Sequence, residues 1–254
     1  MITDHYSTAV KKVPWVSRWL PNFSFYSGLV RVILKASRLA KNGIYLDKDW
    51  IKSSRSTIDL LEKVGVSVEV ENLSVLRKLD PPFVFVGNHM SILETFVLPC
   101  IIQPHIPFTF VVKKSLMDYP VFKYVMRNRD PIIVSRDNPR EDFKNVMEGG
   151  LERLNRGISV LIFPQTTRTT RLDPKAFNSI GIKLAKKAGV PVIPFALKTD
   201  AWGIGRWIKD FGRIDPSKQA WFRFCDPLMI RGRGKDEHET IIQFITEKLD
   251  AEVT

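Results

Sequence analysis

The chain has 254 residues, 44% of them hydrophobic and 26% charged, a composition that belongs to a folded globular protein and excludes a disordered one. Lys and Arg number 39 against 27 Asp and Glu, and the net charge of +12 points to anionic partners: nucleic acid, a phospholipid surface or phosphorylated substrates. Cys100 and Cys225 are too few and too far apart for a disulfide framework or a zinc site, and no run of about 18 apolar residues offers a spanning helix.

Residues 1–56 hold ten Lys/Arg and three Asp, so they carry +7 of the +12. Met1-Ile2-Thr3-Asp4-His5 is polar where a cleavable leader would be basic and then apolar, and with the unpaired cysteines this predicts a cytosolic face. Pro14, Trp15, Trp19 and Pro21 precede a helical pattern from Phe23 to Ala40. Within it Arg31, Lys35 and Arg38 share one face, while Leu29, Val32, Ile33, Ala36 and Ala40 fall largely on the other. Such a basic amphipathic helix is either an interfacial, monotopic membrane anchor or a helix packed on the domain with a solvated face. Asn42-Gly43 ends it, and a second helix is expected from Lys48 to Lys63, closed by Gly65.

Val66 to Val70 alternates as a strand, and Phe83 to Val86 reads as a buried one. The order then runs helix Ser91–Ile102, strand Phe108–Val112, a short helix from Tyr119 to Met126, strand Pro131–Val134 and helix Pro139–Asn155. It continues with strand Ile158–Phe163, helix Lys175–Ala188 and strand Val192–Leu197. Residues 200–218 read as a long surface excursion, Phe222–Phe224 as an edge strand and Lys235–Leu249 as a terminal helix. Buried strands alternating with helices predict an α/β fold, its mostly parallel central sheet flanked by helices. Residues 1–65 form an N-terminal helical membrane-docking element in this reading, and residues 66–254 the α/β domain.

The buried strand at Phe83–Val86 runs into Gly87-Asn88-His89-Met90-Ser91-Ile92-Leu93-Glu94. A histidine at a strand end with an acid nearby is a candidate general base with its orienting partner. Five residues within one helix lie about 140° apart, so His89 and Glu94 can meet only across a strand-to-helix turn. Ser91-x-x-Glu94 is also a capping box, which gives Glu94 a structural role beside the chemical one. A Glu94→Gln substitution is expected to keep the cap and remove the charge.

Two more clusters follow strands. Pro164-Gln165-Thr166-Thr167-Arg168-Thr169-Thr170-Arg171 has the hydroxyls and guanidiniums of a phosphate-recognition loop, and Ile132-Ile133-Val134-Ser135-Arg136 places Arg136 just past a buried strand. In a parallel sheet these ends share the edge where α/β ligands bind.

Taken together the blocks resemble those of the glycerolipid acyltransferase family that includes 1-acylglycerol-3-phosphate acyltransferases. Asn88-His89-x-x-x-x-Glu94 matches its first block, Ile132–Arg136 its second, and Phe163-Pro164-Gln165-Thr166-Thr167-Arg168 its usual Phe-Pro-Glu-Gly-Thr-Arg. Val190-Pro191-Val192-Ile193-Pro194 matches the fourth. Glu94 replaces the commoner Asp, and Gln165-Thr166 replaces Glu-Gly. The resemblance implies transfer of a fatty acyl group from acyl-CoA or an acyl carrier protein to the hydroxyl of a lysophospholipid, 1-acylglycerol 3-phosphate foremost, at a phospholipid membrane surface. It makes His89 and Glu94 the catalytic pair and Arg136, Thr167 and Arg168 the phosphate ligands, with Asn88, Gln165 and Thr166 in support. Neither a metal nor a resident cofactor is expected. The competing classes are an acyltransferase for another lyso-lipid and a non-catalytic basic protein that binds membranes or nucleic acid. For nucleic acid, the Arg231–Lys235 stretch lacks aromatic residues in a recognisable RNA-binding arrangement.

Overall fold

The computed structural model describes residues 4–9, 12–78, 80–165 and 167–251. The elements in chain order are β1 (Tyr6–Ser7), α1 (Trp15–Trp19), α2 (Pro21–Lys41), α3 (Asp47–Lys63), β2 (Val68–Glu71), β3 (Val84–Gly87), α4 (Leu93–Ile102), β4 (Phe108–Lys113) and α5 (Phe122–Asn128). They continue with β5 (Ile132–Val134), α6 (Pro139–Asn155), β6 (Ser159–Ile162), α7 (Ile180–Ala188), β7 (Val192–Lys198), β8 (Ala220–Phe224) and α8 (Lys235–Asp250).

One sheet runs in the order β1-β2-β8-β7-β3-β6-β4-β5, and β7, β3, β6, β4 and β5 are mutually parallel. Strands β3 and β6 are buried along their whole length, as parallel strands covered on both faces must be. Their alternation sorts two cores. Phe83, Phe85 and Leu161 join the layer of α2, α3 and α4, while Val84, Val86, Val160 and Ile162 meet α6, α7 and α8. Helix α3 packs on both α2 and α4. Where Pro99 interrupts the α4 ladder, Ser54 Oγ accepts the Cys100 N–H at 2.9 Å and lies 2.6 Å from the Phe96 carbonyl.

Several boundaries differ from expectation. Strand β8 is interior: it lies antiparallel to β7 and parallel to β2, which extends the sheet outward, and β1 of the N-terminal segment pairs antiparallel with β2. The expected helix 175–188 is split. Asp173 caps a 3-10 turn at Pro174–Ala176, and α7 begins only at Ile180, where Gly181 sits against Val86. Residues 200–218 are only partly a surface excursion, since Ala201, Trp202 and Ile214 are fully buried. Helix α2 keeps Arg31, Lys35 and Arg38 exposed as its periodicity predicts, and buries Leu29 and Ala36. It also leaves Phe23, Val30 and Leu34 exposed, as is Trp19 at the end of α1. No described helix is long and apolar enough to cross a membrane.

Gly87 ends β3 where the backbone passes over the Phe195 ring. A Cβ there would lie 2.4 to 2.6 Å from three ring carbons, and neither the strand nor the packed ring can yield. Gly87→Ala is expected to cost about 1–3 kcal/mol of stability, read from the midpoint of urea unfolding.

Candidate active site

Four strand ends of one edge supply the site: β3 leads to His89, β5 to Arg136, β6 to Gln165–Arg168 and β7 to Thr199. His89 lies in the turn between β3 and α4, and Glu94 in the first turn of α4, so the two meet as the spacing requires. His89 Nδ1 lies 2.9 Å from Glu94 Oε1. With Nδ1–H donating to the carboxylate, Nε2 carries the free lone pair. The His89 ring stacks on Phe163 at 4.3 Å between centroids and 14° between planes, which restrains it from turning.

Glu94 is completely buried. Its Oε1 also accepts the backbone N–H of Met90 at 2.7 Å and of Ser91 at 2.9 Å, while Oε2 takes the Thr199 hydroxyl at 2.6 Å and the Ser91 hydroxyl at 3.1 Å. The cap is therefore present alongside the histidine contact, on the same side chain. Burial alone would raise the carboxyl; the hydrogen bond and charge of His89 and the Thr199 hydroxyl outweigh it and hold Glu94 below the usual range. Thr199 has no motif of its own, yet it also anchors Ser91, whose hydroxyl lies 2.9 Å from the Thr199 carbonyl.

Asn88 does not reach the substrate side. Its amide donates to the Leu197 carbonyl at 2.8 Å and accepts the Leu197 N–H at 2.9 Å, continuing the β3–β7 ladder past Gly87. Gln165 Oε1 accepts the His89 N–H at 2.7 Å, and its Nε2 donates to Thr169 Oγ1 at 2.8 Å. The Thr169 hydroxyl in turn donates to the Arg171 carbonyl at 2.6 Å, so its oxygen needs a donor, and an amide serves here where a carboxylate would not. Thr166 lies outside the described residues.

Arg136 holds a left-handed backbone, φ 68°, because the Asp142 carboxylate accepts both the Ser135 and the Arg136 N–H at 2.7 Å. Burial and then the charge of Arg168 press the Arg136 guanidinium below its ordinary value, although arginine stays charged. Arg168 pairs through Nη2 with Asp210 of the 200–218 segment, and its buried Nη1 has no partner among the described residues. A sequence reading misses this Asp210 contact altogether.

His89, Arg136, Gln165, Thr167 and Arg168 line one cavity of about 1040 Å³. Glu94 and Asn88 stand behind its wall. Away from Arg136 and Arg168 the cavity is mainly apolar, bounded by Ile33 and Ala36 of α2, Phe96 of α4, Phe110 of β4, and Phe122 and Val125 of α5, with Ser53, Ser54 and Arg129 also in its wall. Among the described residues, the one trio of metal-ligating side chains, His5, Glu69 and Glu71, sits at the β1–β2 edge and does not belong to this cavity. Burial pushes the Cys100 thiol up to about 11, which disqualifies it as a thiolate nucleophile.

The five donors around Glu94 divide between its oxygens, His89 and the two N–H groups on Oε1 and the two hydroxyls on Oε2. A glutamine can keep its oxygen on the Met90 and Ser91 N–H groups and turn its NH₂ toward the Ser91 and Thr199 hydroxyls, which can accept, so the cap survives and the charge is lost. Glu94→Gln is expected to cost roughly 2–4 kcal/mol at neutral pH. A carboxyl held down in the fold stabilises it fully above its ordinary value and loses that contribution as pH falls toward the depressed one. Urea unfolding across that acid range should therefore show the variant losing less stability than the parent; parallel acid limbs would show that the carboxylate charge is not what the pocket holds.

Comparison with known proteins gives the family. The Acyltransferase family model matches residues 67–198, which run from β2 to the end of β7 and make up more than half of the chain. A 1-acyl-sn-glycerol-3-phosphate acyltransferase of Pseudomonas aeruginosa is 32% identical over 151 residues, 59% of this chain and 57% of that one. One of Haemophilus influenzae is 24% identical over 173 residues, 67% of this chain and 68% of its own length. A chloroplastic relative of Brassica napus is matched over only 36% of its length, so the chain spans little more than half of the Pseudomonas protein and less of the plant one. The crystal structure of a 1-acyl-sn-glycerophosphate acyltransferase, PlsC, from Thermotoga maritima has the same fold, with a TM-score of 0.67 at 18% identity over 94% of this chain and 97% of that one. With the family model covering the strands that carry His89, Arg136 and Arg168, the chain belongs to the Acyltransferase family.

Proposed function

We propose that the chain transfers a fatty acyl group from an acyl thioester, on coenzyme A or an acyl carrier protein, to the free hydroxyl of a lysophospholipid. The relatives' names favour 1-acylglycerol 3-phosphate as the acceptor. The observation that carries this reading is one cavity in which the Nε2 side of a carboxylate-held histidine shares the wall with two arginines and an apolar arm.

In the reaction, His89 Nε2 takes the proton of the acceptor hydroxyl as its oxygen attacks the thioester carbonyl carbon. The Glu94 carboxylate stabilises the imidazolium that forms, as in a catalytic dyad, and no acyl-enzyme intervenes. The tetrahedral intermediate collapses by breaking the carbon–sulfur bond, and the departing thiolate takes the proton back from His89. Arg136 and Arg168, with Thr167, hold the acceptor phosphate and so bring its hydroxyl to the base. Burial and the charge of Arg168 both weigh on the Arg136 guanidinium, and a phosphate dianion would offset them. The apolar arm has the lining that an acyl chain needs. The scheme draws on no metal or resident cofactor.

Residues 1–65 serve in this reading as a docking element for a peripheral, monotopic protein on the cytoplasmic face of the membrane. The support is the exposed stripe of Trp19, Phe23, Val30 and Leu34 beside Arg31, Lys35 and Arg38.

The test is thiol release from acyl-CoA or acyl carrier protein, run with lysophosphatidate, glycerol 3-phosphate and other lyso-lipids. His89→Ala should lower kcat by about a thousandfold or more, within the range for loss of a general base, and unaltered turnover would end the reading. Arg168→Lys replaces a fork by a point charge and should raise the acceptor KM roughly tenfold at nearly constant kcat. A KM that stays put would remove Arg168 from the phosphate site.

A further inference from the structure

The connection between β7 and β8 is built as a closed loop. Trp202 and Ile214 bridge at its base, the Gly203 N–H donates to the Arg213 carbonyl at 2.9 Å, and the Gly205 N–H reaches the Lys209 carbonyl at 3.2 Å. Its backbone is packed against itself: a Cβ on Gly212 would lie 1.7 Å from the Gly203 carbonyl oxygen, and one on Gly205 2.1 Å from that of Ile208. Such a loop moves as one piece or not at all.

It has two faces. Lys209 and Asp210 line the cavity, and Asp210 holds Arg168. At the tip, Trp207 is 91% exposed, the barest of the large apolar side chains described, and Ile208 is exposed beside it. A bare tryptophan and isoleucine at the tip do nothing for the fold and cost solubility, which marks an interaction surface. Arg206 lies beside the Trp207 ring at 5.9 Å, and Lys209 and Arg213 add positive charge to the same loop, so the surface that fits is apolar beneath and anionic above. The loop is also fastened to α2. Tyr26 donates its hydroxyl to the Gly212 carbonyl, the Tyr26 and Phe211 rings lie 5.6 Å apart, and the Ile214 N–H donates to Asn22 Oδ1 at 2.7 Å. The tip and the exposed stripe that starts at Trp19 and Phe23 thus hang from one packed unit.

We propose that residues 203–213 are a second lipid contact: Trp207 and Ile208 enter the interface of an anionic phospholipid bilayer, while Asp210 holds Arg168 at the depth of the headgroup phosphates. The unpartnered Nη1 of Arg168 is then the donor left for the phosphate, and Asp210 is a positioning residue for it. The second half of this inference rests on the acyl-transfer reading above; the first half does not.

Co-sedimentation of the full chain with vesicles of phosphatidylcholine containing phosphatidylglycerol tests the contact directly. Trp207→Ala combined with Ile208→Ser, at a site outside the core, should lower the partition coefficient by about tenfold while near-UV circular dichroism stays unchanged. Parent-like partitioning would overturn the contact. So would a variant that dissociates a dimer in sedimentation equilibrium yet binds vesicles as before, which would assign the tip to a second copy of the chain. Asp210→Asn should leave vesicle binding intact and raise the KM for vesicle-borne lysophosphatidate about tenfold at constant kcat, with Asp210→Glu recovering part of it. An unchanged KM would overturn the positioning role. A parent chain that binds vesicles through the loop but releases no thiol would end the acyl-transfer reading and leave the lipid contact standing.

Discussion

A single buried carboxylate organises the edge of this sheet. Glu94 has no exposure to solvent, and a bare charge in such a place would be forced neutral. It stays ionised at the start of α4 because donors from two other segments converge on it: the turn after β3 and the residue after β7. None of those segments can shift without leaving the charge under-solvated, and the penalty for a lost partner is several-fold larger than the gain from making one. The orientation of His89 is thus tied to the integrity of the fold, and the proposed chemistry inherits its geometry from an electrostatic constraint.

That constraint explains which parts of the site are legible in sequence. His89 and Glu94 are readable because they sit on one short strand–turn–helix, where spacing translates directly into geometry. Arg136 and Arg168 are readable as polar residues following apolar strands, a position that a parallel sheet converts into a shared edge, although the strand before Arg136 is the sheet's outermost, with Ile133 exposed where its sequence reads as buried. Thr199 is not, because it stands 105 residues beyond Glu94 and comes next to it only through the pairing of β7 with β3. Asp210 is invisible for the same reason: nothing local in an irregular loop announces which guanidinium it will face. The position of β8 is misread because a short strand with charged neighbours has the pattern of an edge, and only the outward pairing of β2 and β1 encloses it.

Gln165 shows how a departure from a family pattern can be absorbed. The amide keeps one atom on the His89 backbone and offers the other as a donor to Thr169, whose own proton is committed to Arg171. The loop loses a charge without losing its attachment to the histidine turn. What differs is the electrostatic balance of the cavity, where the arginines face one fewer anion than the usual block would provide.

The stacking of Phe163 on His89 has a consequence for selectivity. An imidazole pinned between a ring and a carboxylate cannot swivel to meet a displaced hydroxyl, while Asp210 holds the Arg168 guanidinium and Asp142 the backbone of Arg136. Under the proposed chemistry the site then acts as a caliper with both jaws set. It measures the span between a phosphate and a hydroxyl on the same molecule, and rejects acceptors whose span is wrong however well their chains fit the apolar arm.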